Sequence, residues 1–105
     1  MSSPVASVVE QISAAMSVCN LQHQVNVTNI ANRDTQGYQR LKLQFDHAMD
    51  HAAPPRVVTD QSSAPVSLEQ DLVSMSTNLM QYQAMARAVG RYFSLATAIA
   101  NPNRG

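Results

Sequence analysis

His47-Ala-Met-Asp50-His51 sets two imidazoles four residues apart with a carboxylate between them. On a helix that spacing brings both rings to one face, where they chelate Zn²⁺ or Ni²⁺. A closed site needs further ligands, yet no other His or Cys lies nearby and no Glu follows His47. The expectation is therefore an exposed polar turn and no metal. Cys19 and His23, also four apart, have the residue types of a thiolate and its base. No orienting carboxylate or oxyanion loop accompanies them, so Cys19 reads as a small buried thiol. The only glycines are Gly37, Gly90 and Gly105, which leaves no Gly-rich phosphate loop. No pair of carboxylates recurs at acid–base spacing. Neither catalysis nor a cofactor is expected. Asn26-Val27-Thr28 satisfies the glycosylation sequon but falls inside a helical pattern, a coincidence of sequence. Met75, Met80 and Met85 step by five, which leaves one helix face, so they read as packing residues.

Composition narrows the classes further. Seven Lys+Arg balance seven Asp+Glu in 105 residues, and charged residues make up 13% of the chain. A nucleic-acid binder carries a basic excess, and an acidic disordered tail the opposite; neither fits. Hydrophobic residues reach 45% with no Trp, so the core must be aliphatic and methionine-rich, as in helix packing. The single Cys excludes an internal disulfide. No apolar run approaches the roughly 20 residues of a membrane span, and no direct membrane insertion is expected. A lack of early basic residues and Glu10 within the first apolar stretch argue against a cleaved secretory signal. Val18 before Cys19 argues against lipidation there.

The elements that position these residues are two helices. Ser3-Pro4 reads as an N-cap with proline at the first helical position. Val5, Val9, Ile12, Met16, Cys19, Val27 and Ile30 then continue at mostly helical spacing to about Ala31. His23 and Asn26 fall on or beside this stripe. The second helix starts from Ser67 and Gln70, a capping box. Glu69 and Asp71 suit the positive end of its dipole. Leu68, Leu72, Met75, Leu79, Tyr82, Ala86, Val89, Phe93, Ala96 and Ala100 alternate by four and three and form an apolar heptad seam. Asn101-Pro102 stops it. Leu41, Leu43 and Phe45 alternate with polar residues as an extended segment does, and Phe45 to His51 suits one or two helical turns. Residues 52–66 read as a proline-rich linker. The expectation is one all-α domain: an N-terminal helix over 1–33, a turn with an extended or short helical segment over 34–51, the linker, and a C-terminal helix over 67–101. The middle is expected to be extended and partly disordered.

Both helices lack charge where solvent-facing helices carry it. Glu10 is the only charged residue before Arg33, and Leu72 to Ala86 has none. Two long helices cannot bury so much uncharged surface alone. An assembly subunit is expected, with a plain helical-hairpin dimer as the alternative. A membrane-surface helix would place Lys and Arg on the polar face, and the first helix has none.

Val27-Thr-Asn29-Ile-Ala-Asn32-Arg-Asp-Thr35-Gln-Gly37-Tyr38 resembles the Asn-x-x-Asn-x-x-Thr-Pro-Gly-Tyr signature of bacterial flagellar rod and hook proteins. Gln36 stands where that signature has proline. Leu68, Leu72, Met75, Asn78 and Tyr82 resemble the family's C-terminal signature. The stretch from Arg91 through Phe93 to Ile99 is most similar to its proximal-rod branch, for which the middle is short. The resemblance implies terminal helices paired as an antiparallel coiled-coil hairpin in a subunit that polymerises helically into a hollow driveshaft. It implies that Asn29, Asn32, Asn78 and Tyr82 hold helix ends and inter-subunit hydrogen bonds, and that Gly37 supplies a turn. Implied partners are the chain itself, other rod proteins, the hook–basal-body adaptor at the MS ring, and the flagellar type III export gate. Phe45 and Met49 resemble the gate-recognition segment, although two apolar residues at that spacing equally suit local packing. The implied location is the periplasmic rod of the basal body, reached without a cleaved signal. An inner-rod protein of a related secretion apparatus and a small soluble helical adaptor remain alternatives.

Overall fold

The computed structural model describes residues 4–46, 54–62 and 64–101. Two helices dominate it: α1 spans Pro4–Ala31 and α2 spans Leu68–Ala100. Between them, strands β1 (Leu41–Gln44) and β2 (Arg56–Thr59) pair antiparallel, with Leu41 opposite Thr59 and Gln44 opposite Arg56. The molecule is elongated, 63 × 31 × 16 Å. Its fold is an antiparallel helical hairpin with the strand pair added at one end.

Local chemistry sets the boundaries of α2. The Ser67 side chain accepts a hydrogen bond from the Gln70 amide at 3.1 Å, and the Gln70 side chain accepts one from the Ser67 amide at 2.8 Å. This reciprocal cap satisfies two of the helix's orphan donors. Asn101 ends it, donating its amide to the Thr97 carbonyl at 2.9 Å.

The helices run antiparallel. Asp71, near the start of α2, meets arginines just beyond the end of α1, while Asn78 meets Cys19 further back along it. The face that α2 turns to α1 differs from the expected seam. Asp71, Met75, Asn78, Met85, Val89, Tyr92 and Ala96 are buried or half-buried, and Tyr82 is 38% exposed between them. Leu68, Leu72, Leu79, Ala86, Phe93 and Ala100, expected in the seam, are exposed. The heptad is shifted by one residue on one of its two rows. Asp71 and Asn78 take the inner row because each has a partner there, and leucines take the flank.

Helix α1 departs in a similar way. Past Cys19 the inward path runs through Gln22, Val25, Asn26 and Asn29, whereas Val27 is 44% exposed and His23 lies outside. Asn29 must face inward to reach β1, and that rotation turns Val27 out. The stretch 52–66 is also more than a linker, since β2 lies within it. The suggested helical turns at 45–51 are not seen at Phe45 and Asp46, and the rest of that stretch lies outside the described residues.

Candidate functional site

The end of α1 is built as a joint. Asn29, 3% exposed, presents its side-chain amide to the Leu41 backbone, donating to the carbonyl at 2.9 Å and accepting from the amide at 2.8 Å. The same oxygen accepts from the Tyr38 hydroxyl at 2.6 Å. One side chain thus copies a strand neighbour and holds β1 against the helix. Asn32 donates to the Thr28 carbonyl at 2.9 Å and accepts from the Thr35 hydroxyl at 3.2 Å. The Tyr38 amide donates to the Thr35 carbonyl at 3.1 Å, and Gly37 has φ +80°. A four-residue turn closed from its first to its fourth residue, with positive φ at the third position, is the pattern of a type II turn, in which glycine is favoured.

A charged clasp lies beside this joint. Arg40 donates two parallel hydrogen bonds to Asp71, Nη1 to Oδ2 at 3.0 Å and Nη2 to Oδ1 at 2.8 Å. Arg33 stands 3.7 Å from the same carboxylate. The Arg40 hydrogen bonds hold the Asp71 carboxyl below the ordinary carboxylate range, against burial that pushes it up; the charges of Arg40 and Arg33 add to the lowering. The clasp ties the chain after the turn to the first turns of α2.

Asn78 ties the helices mid-length, donating to the Cys19 carbonyl at 2.8 Å. Beside it lies a half-open recess of about 230 Å³ lined by Cys19, Asn20, His23, Asn78, Leu79 and Tyr82. Cys19 is buried at 8% exposure and has no hydrogen bond to His23 among those present. The sequon residue Asn26 is 7% exposed and accepts from Gln22 at 2.8 Å, which leaves no room for a glycan. Met75 and Met85 face inward and Met80 outward, as steps of five require.

The signature residues thus fall into two groups. Asn29, Asn32, Thr35, Gly37 and Tyr38 form the joint, and Asn78 the cross-link, all through bonds within the chain. Leu68, Leu72, Leu79 and Phe93, at 37%, 43%, 48% and 58% exposure, form an apolar ridge along the flank of α2, with Met75 and Tyr82 on its inner side. Phe45 is 49% exposed just after β1. Met49 and the His47/Asp50/His51 turn lie outside the described residues. The Arg40–Asp71 clasp is the feature that sequence reasoning missed. Its one signal was the acid Asp71 in the first turn of α2, which dipole complementarity already explained.

Among the described residues no helix is long and apolar enough to cross a membrane. No protein-family model, curated protein or solved structure matches the chain.

Proposed function

We propose that the chain is a structural subunit of a bacterial flagellar rod, of its proximal (FlgB) branch, with no enzymatic role. One observation carries the reading most. Among the described residues only Cys19 and Val25 are buried apolar side chains, while twelve large apolar residues stay more than a third exposed, nine of them on α2. A helix that leaves so much apolar surface uncovered, with no charge from Leu72 to Ala86 to keep neighbours away, gains its core by association. The motif resemblance supplies the particular assembly: a helical array of heterologous contacts, joined to other rod proteins and the adaptor at the MS ring after passage through the type III export gate.

Leu79→Glu and Phe93→Glu test it in a strain lacking the native gene. Each puts a charge on the ridge without touching the joint, so helicity by circular dichroism is retained and motility is lost. Full motility with both variants contradicts the proposal.

One observation favours a second reading, a small soluble helical adaptor. The amides of Asn29, Asn32 and Asn78 are satisfied inside the chain, so the hairpin has its own fastenings. A helical monomer that stays stable at all concentrations in sedimentation favours the adaptor.

A further inference from the structure

Next to the ridge, the outer face of α2 carries a second stripe at alternating steps of four and three: Glu69, Val73, Ser76, Met80, Gln83 and Arg87. All six are exposed, Val73 at 65% and Met80 at 64%. Neither Glu69 nor Arg87 forms an ion pair with a described residue. The stripe opens on an acid and closes on a base, and its four inner positions are uncharged.

Laid antiparallel against itself, this stripe is self-complementary. Glu69 meets Arg87 of a second copy, Val73 meets Gln83, and the small Ser76 receives the long Met80. The pattern is symmetric about a point between Ser76 and Met80, so every pairing occurs twice. Gly90 continues the stripe three residues on. A Cβ there would meet nothing within 4 Å inside the chain, so no internal packing requires a residue that weakens a helix interior. In the same alignment Gly90 comes opposite Val66, where the second copy's chain enters its own α2 cap, and a glycine there permits a close approach.

We infer that this face of α2 joins a second copy of the chain in an antiparallel two-fold dimer, with a Glu69–Arg87 ion pair at each end and Met80 of each copy packed over Ser76 of the other. The charges fix direction and register, and the uncharged centre between them sets no like charges against each other. An isologous contact of this kind closes on itself. It is therefore distinct from the polymerising contacts of the rod reading and does not depend on that reading. If the chain is a rod subunit, the dimer is a soluble form that opens before subunits add.

Sedimentation of the full chain at low salt tests this. The wild-type chain shows a concentration-dependent dimer. Glu69→Arg alone and Arg87→Glu alone each raise its dissociation constant by about tenfold or more. An equimolar mixture of the two variants restores association, because the heterodimer regains both opposite-charge pairs. Met80→Glu abolishes the dimer while circular dichroism keeps its helical signal. A monomer throughout the accessible range overturns the inference. So does a dimer indifferent to either reversal, or a mixture that associates no better than its components.

Discussion

The Asn29 amide joins three pieces of chain, and few single atoms in the molecule are asked for more than its Oδ1. Removing it strands the Leu41 amide and the Tyr38 hydroxyl together. Asn29→Ala should cost about 2–3 kcal/mol, read as a lowered midpoint in urea with an unchanged slope. Gln36 presents the opposite case. It occupies the second position of the Thr35–Tyr38 turn, where proline is favoured, and its amide donates to no described residue. Gln36→Pro should stabilise by about 0.4–1 kcal/mol by restricting the unfolded chain, seen as a raised thermal midpoint. Asp71 links stability to acid. Its carboxyl has a lower pKa folded than unfolded, so its contribution is fully present above the unfolded value of about 4 and is lost as pH falls through the folded value. Stability should fall as pH drops below about 4. Asp71→Asn should lose about 2 kcal/mol at neutral pH and show a shallower acid limb in urea titrations.

Among the elements, what the sequence disclosed depended on how local the cause was. The start of α2 was legible because Ser67 and Gln70 cap each other three residues apart. The end of α1 was legible from spacing, and the Gly37 turn from its residue types. The face of α2 was not. Periodicity ranks positions by hydrophobicity, and the row of Leu72, Leu79, Ala86 and Phe93 outscores that of Asp71, Asn78, Met85 and Tyr92. The structure chooses the second row because Arg40 neutralises Asp71 and the Cys19 carbonyl accepts from Asn78, and those partners lie 31 and 59 residues away. Strand β2 was hidden for a related reason. Pro54 and Pro55 gave its neighbourhood the composition of a linker, while its pairing partner β1 is held against α1 by Asn29. Helix continuity matters equally along α2. Leu79→Pro removes a main-chain hydrogen bond at mid-helix and should cost about 3 kcal/mol or more. Helical signal falls with it, unlike in Leu79→Glu, where the main-chain hydrogen bonds of the helix are untouched.

At the scale of the whole molecule, the fastenings and the uncovered surface lie on different sides. The joint, the clasp and the Asn78 cross-link bind α1 to the strand pair and to one face of α2. The ridge of Leu68, Leu72, Leu79 and Phe93 is left on the flank, and Leu95 and Ile99 stand at 50% and 67% exposure further along. A hairpin held this way keeps its shape while offering a long apolar edge to neighbours, as a subunit of a stiff assembly requires. In the proposed rod, neighbouring subunits cover this edge. The most direct measurement is mass spectrometry of acid-washed basal bodies, extracted with detergent from cells that make the chain. The protein should be found in the rod fraction, and should be absent from basal bodies of a strain carrying only Leu79→Glu. Intact basal bodies with a full rod and none of this protein would contradict it.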